Sequence, residues 1–251
     1  MDLYLTSLKR QWIPAAIMGV VYGISLMTMI YICNSNSVIA HEISPYEYGS
    51  DWTDFFLPLL VSVPFGVGTY YLKKDNFLDY ISLRVSGKDF LKAHIKAAMT
   101  MCLVTVFAVN MIGIFFSIHV AEVSPEYRNQ QDLSEFLLGS LQQNHIVLFG
   151  FIWSAYKGVL CSMICLLEQI FALYLNNLFL SLLGPFVYIV LENYVTGIFG
   201  IPQISFTTAL VLNRLDPATM GYYHIVIEIG IFLLAIFLIE KMLRRNDEKQ
   251  Y

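Results

Sequence analysis

The sequence predicts an all-α polytopic membrane protein with six transmembrane helices, an N-terminal interfacial helix and both termini in the cytoplasm. Three observations predict this fold class: an apolar composition, six long apolar runs and an uneven distribution of basic residues. Of the 251 residues 57% are hydrophobic and 14% are charged, whereas soluble domains contain about 45–50% apolar and about 25% charged residues. The mean hydropathy of +0.62 agrees with lipid as the main solvent.

Six apolar segments approach or exceed the roughly 20 residues that a helix needs to cross a hydrocarbon core about 30 Å thick. They cover residues 13–33, 55–72, 97–120, 146–173, 178–198 and 222–239, within a transmembrane domain of residues 13–243. The first run is longer than the apolar part of a signal peptide and no small-residue cleavage site follows it. We therefore expect it to be retained as a span.

The basic residues set the orientation, because Lys and Arg near spans are held on the cytoplasmic side. Twelve of the fifteen lie in the segments that are inside when the N-terminus is inside. Only Arg128 and Arg214 fall outside, and Lys157 lies within the fourth span. Both termini, including a charged tail at residues 244–251, are therefore predicted to be cytoplasmic.

The N-terminal residues 1–12 are too short and polar to span. On a helix Leu5, Leu8 and Trp12 share one face, which predicts an amphipathic helix in the inner interface. Pro14 is expected to mark a turn into the first span. The alternative is a frayed N-terminus anchored by an interfacial tryptophan.

The longest predicted cytoplasmic connection, residues 73–96, has a helical pattern of apolar residues, a break at residues 85–87, and Asp89 as a candidate N-cap for the next helix. Five apolar residues fall within seven positions: Phe77, Leu78, Tyr80, Ile81 and Leu83. A solvated loop has no need of such a face, so either lipid headgroups or a partner protein should cover it.

Two outer connections are also unusual. Residues 132–144 predict a short amphipathic helix. Residues 199–221 are apolar but contain Pro202 and Pro217 and are too short to cross, which favours a re-entrant or surface-lying hairpin.

Four ionisable residues fall within predicted spans, where burial is costly and each is a functional candidate: Lys157, Glu168, Glu192 and Glu228. The functional interpretation is a polar pathway or a bridge between Lys157 and Glu192. The structural alternative is hydrogen bonding between helices, with Glu192 and Glu228 reaching toward headgroups and Glu168 snorkelling at the inner end.

Enzymatic and nucleic-acid functions find little support. Residues 154–157 have Ser-x-x-Lys spacing without the accompanying motifs of serine–lysine enzymes, and no His-Glu-x-x-His metal motif occurs. We predict no catalytic residue and no metal site. The four cysteines lie in or beside apolar runs and are expected to pack as small core residues. A net charge of −4 argues against a nucleic-acid partner.

ATP binding by this chain is not expected either. Gly87-Lys88 is the only Gly-Lys pair, and it lacks the upstream Gly and the following Ser or Thr of a phosphate-binding loop.

The whole pattern resembles the permease subunit of ABC-2 type exporters. The most telling stretches are residues 70–74 and 79–90, which are similar to the family's coupling-helix region. The resemblance implies a docking segment for a separate ATPase dimer, formed by Phe77, Asp79, Tyr80, Ile81, Leu83, Arg84 and Lys88. ATP and Mg would then be bound by that partner, and this chain would need no cofactor.

The resemblance further implies a second permease subunit, identical or paralogous, contact with membrane lipids, and a location in the cell membrane of a bacterium. The expected function is export of a hydrophobic or amphipathic cargo, such as an antimicrobial peptide or a lipid-like molecule. The alternative is an intramembrane enzyme or a membrane scaffold that transports nothing, and a copurifying ATPase would separate the two.

Overall fold

The structure, a computed structural model, describes residues 3–83, 85–128, 137–215 and 221–247. The long helices in these ranges are α1 (Leu3–Asn36), α2 (Ser44–Lys74), α4 (Gly87–Val120), α7 (Ile146–Tyr174), α8 (Leu178–Ile198) and α10 (Tyr222–Asp247). The short helices are α3 (Phe77–Ser82), α5 (Pro125–Arg128), α6 (Gly139–Asn144) and α9 (Phe206–Leu210), with 3-10 turns at Pro202–Ile204 and Leu212–Arg214.

Five helices are long and apolar enough to cross a membrane: α1, α2, α4, α7 and α8. The all-helical, multi-pass class predicted from the sequence is thereby confirmed for the described residues. The sixth predicted span lies in α10. Its crossing, like the cytoplasmic position of both termini, stays a prediction.

Helix α1 differs from the prediction at its start. It runs without interruption from Leu3 to Asn36 with Pro14 inside it, so the predicted turn at Pro14 is wrong. A proline is tolerated within a membrane helix, because neighbouring helices, polar side chains and local adjustments of the helix can satisfy the freed backbone group. Its apolar Trp12 is 67% exposed, whereas Ser7 and Gln11 on the other side are buried.

Helix α2 begins at Ser44 rather than at residue 55, with Pro45 in its first turn. The acidic residues at 47, 51 and 54 lower the local hydropathy, so the sequence predicts an outer connection there. Acidic residues do not stop a helix, however, and α2 includes all three. Asp54 consequently lies inside the bundle and not in a loop.

The segment between α2 and α4 confirms the predicted helix and break, since α3 ends at Ser82 and α4 begins at Gly87. The predicted N-cap at Asp89 is wrong, because Ser86 holds that position and its carbonyl accepts from the N–H groups of Asp89 and Phe90 at 3.1 and 3.0 Å. Asp89 lies in the first turn, where a carboxylate favours the helix dipole.

Helices α1, α2, α4 and α7 form the central bundle, with α8 packed on α2 and α7, and α10 packed on α7. Small residues allow close approach. A Cβ at Gly49 would lie 2.8 Å from the backbone nitrogen of Ile30, and one at Gly158 would lie 3.0 Å from the carbonyl oxygen of Leu103. These glycines therefore seat α2 against α1 and α7 against α4.

The outer segments are only partly described. The helix predicted at residues 132–144 is described only in its second part, where Gly139–Asn144 form α6. Residues 129–136 lie outside the described ranges. The apolar segment before α10 folds into α9 and two 3-10 turns, with Phe206 and Leu210 buried. Protein therefore covers this segment, which argues against a hairpin lying on the surface.

Candidate functional site

The bundle encloses a polar cluster around Lys157, which we call the Lys157 cluster. Its members come from all four central helices: Tyr22 on α1, Tyr46 and Asp54 on α2, Asn110 on α4, and Trp153 and Lys157 on α7. Each is buried.

An ion pair forms the centre of this cluster. The ammonium Nζ of Lys157 lies 2.6 Å from Oδ2 of Asp54, and both side chains are 0% exposed. The ammonium also donates to the hydroxyl of Tyr46 and to Oδ1 of Asn110, each at 3.4 Å. The rings of Tyr46 and Trp153 have their centroids 5.6 and 5.5 Å from Nζ, within the range of a cation–π contact.

Hydrogen bonds fix the groups around the ion pair. The hydroxyl of Tyr46 accepts from Nε1 of Trp153 at 3.1 Å and donates to Oδ1 of Asn110 at 2.6 Å. The hydroxyl of Tyr22 donates to the same oxygen at 3.1 Å. One connected network therefore joins four helices, and such networks are strongly coupled in a medium of low dielectric.

The predicted bridge between Lys157 and Glu192 is wrong. Lys157 pairs with Asp54, whereas the carboxylate of Glu192 accepts from the hydroxyl of Ser205 at 3.0 Å and from the backbone N–H of Phe206 at 3.2 Å. Glu192 thus binds the start of α9. With Lys157 fully buried beside a carboxylate, this conformation gives it no access to a water-filled path.

A second polar cluster, the His94 cluster, lies near the other end of the same four helices. It consists of Gln11 on α1, Thr69 on α2, His94 on α4, and Glu168 and Gln169 on α7. Nε2 of His94 lies 3.2 Å from Nε2 of Gln11 and 3.0 Å from Oγ1 of Thr69. Thr69 donates to Oε1 of Gln169 at 2.5 Å, and Nε2 of Gln169 donates to Oε2 of Glu168 at 2.9 Å.

Glu168 does not snorkel as predicted, since it is 0% exposed. Its Oε1 has no hydrogen-bond partner among the described residues. The carboxyl group lies against Gly66 of α2, where an added Cβ would collide with Oε1 and would lie 2.8 Å from Cδ2 of Leu182. Gly66 therefore makes the room in which this carboxyl group is buried.

Glu228 on α10 is buried as well. It is 1% exposed, and within the described ranges neither carboxyl oxygen has a hydrogen-bond partner. Of the four polar candidates, only Lys157 forms an ion pair in the part of the chain that the structure describes. The candidates thus do not converge on one site.

The predicted docking segment lies on and beside α3. Phe77, Tyr80 and Leu83 are exposed, Leu83 by 82%. The rings of Phe77 and Tyr80 stack with their centroids 6.4 Å apart, and the guanidinium of Arg10 lies 5.6 Å from the centroid of Phe77.

The other predicted docking residues are distributed around this apolar patch. Ile81 is half-buried, Asp79 lies within α3, and Lys88 is exposed in the first turn of α4. Arg84 lies outside the described residues. The structure therefore places an aromatic and aliphatic surface where the sequence predicts a partner.

The Ser-x-x-Lys sequence of residues 154–157 lies on α7. The hydroxyl of Ser154 has no hydrogen-bond partner among the described residues, and Lys157 donates to Asp54 instead. The two side chains consequently lack the nucleophile–base hydrogen bond of such enzymes. Over the same residues no group of three or more His, Cys, Asp or Glu could hold a metal ion.

Sequence reasoning missed Asp54 and His94, which organise the two clusters. A signal for Asp54 exists: Asp54, Leu57, Val61, Phe65 and Thr69 follow one another at steps of three or four, so they share one helix face. For His94 no such signal exists, because it lies within the predicted connection of residues 73–96 and outside the predicted spans.

No protein-family model, no curated protein and no solved structure matches this chain.

Proposed function

We propose that this chain is the permease subunit of an ABC-2 type exporter, moving a hydrophobic or amphipathic cargo with energy from a separate ATPase. The observation that carries the proposal is the exposed surface of Phe77, Tyr80 and Leu83 on a short helix between two long ones. Anchors of this type supply much of the energy of protein interfaces. Two permease subunits, identical or paralogous, would enclose the pathway.

The connections of α3 suit the transmission of a displacement. Only Asp75 and Asn76 separate α3 from α2, and Asn76 has a φ of 52°, a left-handed conformation that asparagine tolerates better than most residues. Arg10 brings α1 against Phe77. Helix α3 also packs against α4. An ATPase that moves α3 would thus act on α1, α2 and α4, three of the four helices that hold both polar clusters.

The proposal requires α3 to face the cytoplasm. Single cysteines at Glu126 and Lys88, both exposed, would report this in a background without the four native cysteines. We expect Glu126→Cys to react with an impermeant thiol reagent in intact cells, and Lys88→Cys to react only after permeabilisation. The reverse result would overturn the orientation and, with it, the proposed function.

ATPase docking is tested by copurification of the chain from its native membrane in mild detergent. We expect an ATP-hydrolysing subunit, recognised in the purified complex by its phosphate-binding loop sequence, to accompany the unaltered chain. Leu83→Ala and Tyr80→Ala should each reduce its yield severalfold, and Arg84→Glu further, because it reverses the charge of a predicted docking residue.

Val104→Ala is the matched control, since Val104 is an exposed apolar residue within the fourth helix, away from α3. It should leave the yield unchanged. Equal ATPase yield from all variants would mean that α3 lies on lipid. Function without any ATPase would favour the intramembrane enzyme or the scaffold.

A further inference from the structure

A cavity of about 770 Å³ opens between the start of α1, one face of α4 and α7. Its volume lies in the range of roughly 300–1,000 Å³ typical of small-molecule sites. The hydroxyl of Tyr4 in its wall donates to Oγ1 of Thr100 at 3.0 Å, which ties the first turn of α1 to α4. The lining residues belong to α1, α4 and α7, and this hydrogen bond holds two of those helices together at the cavity.

The lining changes from charged to apolar along α4. Lys92 and Lys96 line one part, together with Asp89, and Met99 and Leu103 line the next turns. Positions 92, 96, 99 and 103 share one helix face, and about 10 Å of helix rise separates Lys96 from Leu103. The cavity thus combines a cationic end and an apolar end.

The position of this gradient matches the edge of a membrane. The third apolar segment begins at residue 97, directly after Lys96. With the predicted span at residues 97–120, we expect the lysines at the level of lipid headgroups, and Met99 and Leu103 at the level of the acyl chains. Neither lysine has an ion-pair partner in the part of the chain that the structure describes.

We propose that this cavity binds an anionic phospholipid, whose phosphate lies between Lys92 and Lys96 and whose acyl chain follows Met99 and Leu103. The two ammonium groups outweigh the single carboxylate of Asp89, which favours an anionic over a zwitterionic headgroup. The apolar end favours a lipid over a water-soluble phosphate. The bound lipid would join the start of α1 to α4.

Native mass spectrometry of the purified full chain tests the site by titration with phosphatidylglycerol, phosphatidylcholine and glycerol phosphate. Phosphatidylglycerol should bind more tightly than either of the others. Lys92→Gln and Lys96→Gln should each raise its dissociation constant about fivefold, which corresponds to about 1 kcal/mol for each basic residue. The double variant should raise it about twenty-five-fold.

Two further variants sharpen the test. Asp89→Asn should lower the dissociation constant about fivefold, because it removes the opposing charge. Lys241→Gln, an exposed lysine of α10 that does not line the cavity, should leave it unchanged. Met99→Trp keeps the charge and should weaken binding by filling the apolar end.

Several results would overturn the proposal. Equal affinity for the anionic and zwitterionic lipids would remove the role of the lysines. Glycerol phosphate binding as tightly as the lipid would reduce the site to a phosphate site. Equal losses of lipid affinity in Lys241→Gln and Lys92→Gln would indicate a general effect of surface charge. A second copy of the chain bound in place of the lipid would show that the cavity is an interface between subunits.

Discussion

The Lys157 cluster and the His94 cluster lie on the same four helices but handle buried charge differently. In the Lys157 cluster a carboxylate and an ammonium lie 2.6 Å apart. In the His94 cluster the carboxyl group of Glu168 contacts an amide, and none of the described members is a Lys or Arg. The first cluster pairs two opposite charges, whereas the second joins its carboxyl group to amide, hydroxyl and imidazole groups through hydrogen bonds.

Apolar side chains separate the two clusters. Each helix continues its buried face between its polar members with residues such as Met18 on α1, Val61 on α2, Cys102 on α4 and Cys161 on α7. The clusters are therefore separate units, and variants in one should leave the other intact.

Breaking the ion pair should have the largest effect. Lys157→Met leaves Asp54 as an uncompensated charge, and Asp54→Asn leaves Lys157, so each should lower the free energy of unfolding by about 3–5 kcal/mol. The double variant Asp54→Asn with Lys157→Met should recover most of the loss. Unfolding of the purified chain in detergent, followed by tryptophan fluorescence, measures all three.

Glu192→Gln is the matched control for this pair. Glu192 accepts hydrogen bonds from Ser205 and Phe206 and none from Lys157. The effect of Glu192→Gln on the free energy of unfolding should therefore be the same with and without Lys157→Met. Coupling between Glu192→Gln and Lys157→Met, with none between Asp54→Asn and Lys157→Met, would show that the pairing described here is wrong.

The sequence predicted that Lys157 needs a carboxylate partner or water, because a lone charge at a span centre is costly. It could not select the partner. Short connection length favoured Glu192, whereas the early start of α2 brings Asp54 into the bundle. A hydropathy window cannot detect that start, since acids that are paired inside a bundle lower the score as much as acids in water do.

The region of α3 was predicted more successfully, because its pattern is local. The apolar residues within residues 77–83 recur at steps of three and four, which predicts a short helix without knowledge of its neighbours. The His94 cluster needs contacts between residues far apart in the chain, such as Thr69 with Gln169. No pattern within one helix could reveal those contacts.

A smaller effect is expected where the His94 cluster contacts α2. Gly66→Ala places a methyl group against the carboxyl group of Glu168 and the side chain of Leu182, so it should destabilise by about 1–3 kcal/mol through overpacking. Gly68→Ala meets nothing within 4 Å and should cause no loss. The same unfolding measurement compares them, and equal behaviour would mean that Glu168 does not occupy the space beside Gly66.

The smallest effect is expected for Glu168→Gln, which unlike Asp54→Asn should not lower the free energy of unfolding. The two substitutions make the same chemical change, from carboxyl to amide, at two fully buried positions. Asp54→Asn removes the partner of an ammonium, whereas Glu168→Gln removes no charge partner among the described residues and keeps an acceptor for Nε2 of Gln169. Since burying an acid costs free energy that an amide of the same shape avoids, Glu168→Gln should leave stability unchanged or raise it by about 1 kcal/mol. Unfolding of both variants under the same conditions measures the change in the free energy of unfolding that each one causes. A loss at Glu168 as large as the loss at Asp54 would show that this carboxylate has a cationic partner, and the contrast between the two clusters would then fail.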